Sequence, residues 1–189
     1  IADHYTQIAS AIRGTIREKY WDATRGLFAD TYDHRSFSQH VNSLAILAGI
    51  VTGEEATRVM ERTLNDSSLI QATIYFRYYV HQALKVAGMG DHLLDNLQIW
   101  RDQMALGLTT WAEMPEPTRS DCHAWGASPN IEFFRILLGI DSNAPGFKSI
   151  RIAPSLGDLK EVSGTMPHPV GSVTASYKLD KKGKLTARL

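Results

Sequence analysis

The chain has a single cysteine, Cys122, among its 189 residues, so no disulfide can form within it. No apolar stretch approaches the roughly 18 residues of a membrane span, and the first residues lack the charged and apolar regions of a signal peptide. Neither sign of charge is in excess, because Lys+Arg and Asp+Glu both number 20. A nucleic-acid or anionic-membrane partner would require a basic excess, so neither partner is expected. The histidines do not have the spacing of metal ligands, and we expect neither a metal nor a cofactor.

Apolar residues recur at steps of three and four over most of the first 140 residues, which is the spacing of helices. The pattern predicts six helices, at residues 3–20, 38–50, 54–64, 70–87, 91–107 and 128–139. Residues 21–31 read as a loop punctuated by Gly26. The fifth helix is expected to be N-capped by Asp91, and the sixth to be capped by Ser128 with proline at its first position.

Side-chain pattern also predicts which helix faces are buried. In the second helix Val41, Leu44, Ala45 and Ala48 fall on one face. The tyrosines of the fourth helix, Tyr75, Tyr78 and Tyr79, are interpreted first as core and second as a platform on which a ligand could stack. Before the second helix, Ser36 and Ser38 are explained by helix capping at least as well as by a ligand site, and His40 could line such a site.

From Pro145 onward the period of the pattern changes from helical spacing to two. Val173, Ala175, Tyr177 and Leu179 alternate with polar residues, and further strands are predicted at residues 147–153, 160–166 and 185–189. Six helices followed by about four strands predict a mainly α chain with a C-terminal β part. The predicted domains are residues 1–140 and 145–189.

The segment that carries the densest chemistry is residues 109–130, TTWAEMPEPTRSDCHAWGASPN. It holds three carboxylates, an arginine, a histidine and two tryptophans in a connection that prolines keep from being a continuous helix. Such a loop, ending at a helix N-terminus, is a plausible ligand site. The residue types alone leave open a second interpretation, in which Trp111 and Trp125 fill core space between helix ends. A thiol nucleophile at Cys122 is disfavoured because the adjacent His123 rarely faces such a neighbour.

The order of TTWAE, RSDCHAWGASP, LLGI and PGFKSIRIAP resembles the end of the catalytic domain in family-78 glycoside hydrolases, the α-L-rhamnosidases. VSGTMPHPVGSVTASYK resembles the opening of the C-terminal β-sandwich of that family. GLFADTYDHRSFSQHVNSLAILAGIV resembles an earlier loop and helix of its barrel. The resemblance covers nearly the whole chain. It implies a partial (α/α)6 helical barrel over residues 1–140, namely the C-terminal half of that barrel, and the start of an antiparallel β-sandwich over residues 145–189.

The resemblance also implies an activity, the inverting hydrolysis of terminal α-L-rhamnose. Inversion uses two carboxyl groups roughly 6.5–9.5 Å apart, with water between the base and the anomeric carbon. The general base of the family matches Glu113, and its sugar-contacting histidine matches His123, at a spacing of ten residues that can be longer in relatives. Trp111 and Trp125 could stack on the apolar face of the deoxysugar. The general acid of the family lies upstream, and no matching loop is found here.

The expected partner is therefore a rhamnose-containing glycan or glycoside, with the remaining part of the barrel outside this chain. Because the chain opens on a helix without methionine and ends within a strand, we interpret it as a fragment and expect it to be inactive by itself. An inverting hydrolase for another sugar, or a non-catalytic carbohydrate-binding or scaffold protein of the same architecture, stays open. A helical-repeat module is disfavoured because no repeat is visible. We favour a periplasmic or secreted location and leave a cytoplasmic one open.

Overall fold

The structure is a computed structural model that describes residues 1–189 and divides into two compact units, Ile1–Met89 and Gly90–Leu189. The first unit contains α1 (Ala2–Tyr20), β1 (Trp21–Asp22), β2 (Leu27–Phe28), α2 (Gln39–Leu47), α3 (Gly53–Asn65) and α4 (Ile74–Val86). The second contains α5 (Gln98–Ala105), α6 (Pro129–Glu132), β3 (Ile140–Ser142), β4 (Ile150–Ile152), β5 (Glu161–His168), β6 (Gly171–Leu179) and β7 (Leu185–Arg188). The predicted domains, residues 1–140 and 145–189, stay a prediction.

The four helices predicted for the first unit are confirmed, although the fourth begins at Ile74 rather than at residue 70. Ser38 caps α2 as expected, since its hydroxyl accepts a hydrogen bond from the Val41 amide at 3.2 Å. In α3 the fully buried residues Ala56, Val59 and Met60 follow the predicted helical spacing. Local capping and periodicity therefore explain most of this unit.

The prediction of a simple loop at residues 21–31 is wrong, because these residues form the β1–β2 hairpin. Trp21 pairs with Phe28 and Asp22 with Leu27 in antiparallel register. Gly26 closes the turn at φ 61°, where a side chain would also collide with the Arg62 guanidinium. The two strands are too short for an alternating pattern to show in the sequence.

The predicted buried face of α2 is only partly correct, because Ala45 is buried but Ala48 is exposed. Leu44 is 45% exposed, whereas Gln39 and Asn42 are buried. The amide of Asn42 accepts a hydrogen bond from Phe28 N at 2.8 Å and donates one to Phe28 O at 3.0 Å. Buried polar side chains are tolerated where such bonds satisfy them, and apolar periodicity cannot reveal that. In α4 the core assignment of Tyr75 is likewise wrong, since this residue is 51% exposed.

The helical part of the second unit is more broken than predicted. Two 3-10 turns, Gly90–His92 and Leu94–Leu97, precede α5. Asp91 does not cap that helix, because its carboxylate accepts a hydrogen bond from the Gly157 amide at 2.8 Å. Ser128 has helical dihedral angles and makes no capping bond, although proline does occupy the first position of α6. The sixth helix then continues as one π-helical segment, Phe133–Leu137.

The C-terminal strands are confirmed, and β3 is an additional strand that pairs with β4. Strands β5, β6 and β7 form a three-stranded antiparallel sheet. The sheet packs through Ala175 and Tyr177, which lie in one buried cluster with Leu138 and Ile140. The Tyr177 hydroxyl donates to the Leu138 carbonyl at 3.0 Å, and burial raises the pKa of this phenol. None of the helices combines the length and apolarity needed to cross a membrane.

Candidate functional site

The segment between α5 and α6 folds back on itself through its own backbone. The His123 amide donates to the Trp111 carbonyl at 2.8 Å, and the Glu113 amide donates to the Ser120 carbonyl at 3.0 Å. The Thr110 hydroxyl donates to the Asp121 carbonyl at 2.5 Å. These bonds bring residues 110–113 into direct contact with residues 120–123.

Two side chains of α5 hold this folded segment in place. The buried Gln103 side chain accepts a hydrogen bond from the Ala112 amide at 3.0 Å. The Trp100 indole donates to the Gly126 carbonyl at 2.6 Å. Each bond satisfies a buried backbone group next to a candidate residue, so α5 positions both Glu113 and Trp125. Sequence reasoning missed Gln103 and Trp100 because their partners lie far along the chain.

Glu113 is the carboxylate at the centre of the site. Its side chain is only 11% exposed, and the largely exposed Arg119 lies against it as a bidentate partner. Arg119 Nε donates to Glu113 Oε2 at 2.7 Å, and Arg119 Nη2 contacts Oε1. The hydrogen bonds from Arg119 lower the pKa of Glu113, desolvation opposes this in part, and the nearby His123 lowers the pKa further. The carboxylate is therefore held in its ionised form.

His123 and Trp125 lie beside each other, and His123 is close enough to Glu113 for its charge to act on that carboxylate. Their ring centroids are 4.5 Å apart with planes tilted by 47°, and Trp125 is 44% exposed. His123 Nδ1 is enclosed and has no hydrogen-bond partner. The other ring nitrogen, Nε2, is then the atom through which this histidine could contact a ligand.

Trp111 lies on a separate apolar cavity of about 310 Å³. Glu113, His123 and Trp125 are not among the residues that line it, which are Leu94, Leu97, Trp100, Arg101, Met104, Trp111, Pro129, Asn130 and Phe133. The structure thus brings Glu113, His123 and Trp125 together and adds Arg119 to them. Trp111 joins this group through its carbonyl oxygen and contributes to a neighbouring cavity.

The group has the chemistry of a site for a neutral, hydroxylated ligand. It combines one ionised carboxylate, one imidazole and one exposed indole. No group of three or more His, Cys, Asp or Glu side chains is placed to hold a metal ion, and Cys122 is exposed as a free thiol. The pairing of Arg119 with Glu113 could not be read from the sequence, where Arg119 is only one of several charged residues in the segment.

Comparison with known proteins gives one family and several solved structures. The family model described as bacterial alpha-L-rhamnosidase C-terminal domain matches residues 139–189. A GH78 family rhamnosidase of Bacillus sp. GL1 is similar to this chain with 27% identity and a TM-score of 0.84. That similarity covers 99% of this chain and 22% of the Bacillus chain. A search of curated proteins finds no match.

Two further solved structures share the fold at lower identity. The rhamnosidase from Klebsiella oxytoca with rhamnose bound is 21% identical, with a TM-score of 0.63 over 71% of this chain and 28% of the other. The native α-L-rhamnosidase from Aspergillus terreus is 16% identical, with a TM-score of 0.73 over 98% of this chain and 23% of the other. This chain thus spans less than a third of the length of each of these relatives.

Proposed function

We propose that the parent protein of this chain removes terminal α-L-rhamnose by inverting hydrolysis, with Glu113 as the general base. The proposal starts from the likeness of this chain to the C-terminal part of a family-78 α-L-rhamnosidase. The observation that carries the proposal is the position of Glu113. Its shielded, ionised carboxylate lies near His123, whose ring contacts the exposed Trp125. A carboxylate, an imidazole and an indole are suited to a sugar that offers both hydroxyl groups and an apolar face.

In this mechanism Glu113 accepts a proton from a water molecule as that water attacks the anomeric carbon. A second carboxylic acid protonates the departing glycosidic oxygen from the opposite face of the sugar, and the configuration inverts. By the same likeness, we expect that acid to lie upstream of this chain. Arg119 keeps Glu113 ionised and fixes its orientation, since its two guanidinium nitrogens contact the two carboxylate oxygens.

The other residues of the site have binding roles in this proposal. His123 contacts a sugar hydroxyl through Nε2, and Trp125 stacks on the apolar face of the deoxysugar. Trp111 lines the neighbouring cavity, which is large enough for a small apolar group of the substrate. The substrate is a rhamnose-containing glycan or glycoside.

The architecture proposed for the parent protein follows the same likeness. The observed mixture of helices and antiparallel sheet resembles GH78 rhamnosidase domains. We infer that the helices form the second half of an (α/α)6 barrel and that strands β5, β6 and β7 begin a β-sandwich.

A second candidate is a non-catalytic carbohydrate-binding protein of the same architecture. One observation favours it: both oxygens of Glu113 contact the Arg119 guanidinium, as in a purely structural ion pair. An arginine in this position also makes the carboxylate a weaker base, because the lowered pKa reduces its affinity for a proton. The two candidates differ in whether the parent protein turns substrate over.

The test is Glu113→Gln in the full-length parent protein, assayed on an aryl α-L-rhamnoside. Loss of the general base is expected to lower kcat by about 10²–10⁴-fold, and lost positioning of the water adds to this effect. Glu116→Gln is the matched control, since Glu116 is an exposed carboxylate of the same segment. Near-normal turnover by the Glu113 variant would reject the base assignment. Binding of L-rhamnose without turnover by the unmodified protein would favour the second candidate.

A further inference from the structure

The first unit carries an exposed group of aromatic side chains that the proposed mechanism does not use. We call it the aromatic surface and define it as His40 of α2 with Tyr75, Phe76 and Tyr79 of α4. The His40 and Phe76 ring centroids are 4.3 Å apart, and Phe76 and Tyr79 follow at 4.9 Å. Tyr75 meets Tyr79 edge to face at 6.3 Å.

The aromatic surface rests on a rigid support. The buried Gln39 side chain donates to the Thr63 carbonyl at 3.1 Å and accepts from the Ala72 amide at 3.0 Å. The backbones of Ser38 and Ile70 form a parallel bridge beside it. These contacts tie the start of α2 to the residues that lead into α4, so the rings are positioned before any ligand arrives.

The rings are not part of the closed core. Tyr75 is 51% exposed, while Phe76, Tyr79 and His40 are half-buried. A hydrogen bond between Tyr79 and Tyr75 contributes most to the raised pKa of Tyr79, so the phenol hydroxyls of the two residues lie together. The surface therefore combines ring faces with hydroxyl groups that can both donate and accept.

A carboxylate held in a fixed orientation, that of Asp30, lies against the N-cap of α2, the helix that carries His40. The Ser36 hydroxyl donates to Asp30 Oδ2 at 2.7 Å, and the Ser38 hydroxyl donates to Asp30 Oδ1 at 2.5 Å. Asp30 is close enough for its charge to act on the pKa of His40, although burial dominates and lowers that pKa. The lowered pKa favours the neutral form of His40. Each oxygen of an ionised carboxylate can accept a further hydrogen bond beside the one it receives from serine.

We propose that the aromatic surface and Asp30 form a sugar-binding site for a pyranose ring with an apolar face, of the 6-deoxyhexose class. The rings would cover the apolar face of the sugar, and the Asp30 carboxylate would accept hydrogen bonds from two neighbouring hydroxyl groups. A protein partner fits less well, because the surface is small and has one oriented anionic acceptor. The choice of L-rhamnose as the sugar rests on the proposed function, whereas the site itself rests on the contacts above.

The test is a titration of the 189-residue chain with L-rhamnose, followed by NMR of the tyrosine ring resonances. Saturable shifts are expected for Tyr75 and Tyr79. Tyr75→Ala should weaken the affinity about threefold to tenfold, the contribution typical of an aromatic contact. Asp30→Asn should also weaken it by removing the charge from the acceptor. Tyr32→Ala is the matched control, since Tyr32 is a 70% exposed tyrosine of the same unit, and it should leave the affinity unchanged.

The titration tests the sugar-binding site independently of the assignment of Glu113 as general base. The absence of saturable shifts at Tyr75 and Tyr79 would overturn it. So would equal weakening by Tyr75→Ala and Tyr32→Ala, with both variants shown to be folded by circular dichroism. Rhamnose binding at this surface together with normal turnover by Glu113→Gln would uphold the sugar site and reject the base. No rhamnose binding at this surface, together with greatly reduced turnover by Glu113→Gln, would reject the sugar site and leave the base assignment in place.

Discussion

The ion pair between Glu113 and Arg119 has two opposing effects on the Glu113 carboxylate. The hydrogen bonds of Arg119 lower the pKa of Glu113, which keeps it ionised in mildly acidic solution but reduces its strength as a base. Because the folded-state pKa lies below the ordinary value of 4.5, any stability from the pair is present above that value. It is lost as the pH falls through the lowered pKa. Arg119 is 78% exposed, so solvent screens the pair and its main effect is on protonation.

Arg119→Gln in the full-length parent protein should shift the acidic limb of its pH–rate profile. Without the guanidinium the pKa of Glu113 rises towards its ordinary value, so more of the carboxylate is protonated in mild acid. The acidic limb of kcat/KM is then expected to move to higher pH. Arg135→Gln is the control, because Arg135 pairs with Asp141 instead. An acidic limb at the same pH in wild type and Arg119→Gln would contradict Glu113 as the titrating base.

At the scale of elements, helix α1 packs against the core through its C-terminal part only. Its C-terminal part contacts the core through Ile16 and Tyr20, and Arg13 donates to the Ala48 carbonyl at 2.6 Å. The apolar residues of its N-terminal part remain exposed, with Ile8 at 42% and Ile12 at 53%. The helical period predicted from the sequence is correct, but this half of the apolar face has no partner in the structure.

Two lysine substitutions in α1 should therefore differ in effect. Ile16→Lys is expected to lower the free energy of unfolding by about 1–3 kcal/mol, because it places a charge against the core. Ile12→Lys should change it by less than about 0.5 kcal/mol and should reduce self-association through the exposed face. Urea denaturation measures the first quantity and sedimentation velocity the second. Equal destabilisation by the two variants would show that the N-terminal half of α1 is packed after all.

At the scale of the whole molecule, the likeness to known rhamnosidases covers most of this chain but little of theirs. The Bacillus sp. GL1 relative has only 22% of its length matched. The proposed base lies within this chain, whereas the proposed acid does not. An inverting mechanism with one of its two proton transfers missing leaves the departing oxygen without assistance.

The 189-residue chain alone is thus expected not to hydrolyse rhamnosides. The measurement is release of the leaving group from an α-L-rhamnoside with an alcohol-like leaving group, which needs acid assistance. The full-length parent protein serves as the positive control. Clear hydrolysis by the isolated chain that Glu113→Gln abolishes would mean that a carboxylic acid of this chain fulfils the second role.

Much of the local structure could be predicted from the sequence. The predictions that failed concern residues whose partners lie far away along the chain. Capping of α2 by Ser38 can be predicted because the capping hydrogen bond joins residues only three apart. The role of Asp91 was missed because its partner, Gly157, lies 66 residues away. The candidate segment was found by composition, while the pairing within it depends on the bonds that fold residues 109–123 back on themselves.

The sequence by itself predicted the six helical segments and the later strands, the likeness to the rhamnosidase family and Glu113 as the candidate base. These features depend on neighbouring residues and on short motifs, which act within a few positions of the chain. Only the tertiary structure decided that Gln39 and Asn42 are buried in place of Leu44 and that Arg119 pairs with Glu113. It also decided that Tyr75 faces solvent. Burial and ion pairing depend on which distant segments meet, and a buried amide is stable only where a backbone partner is present.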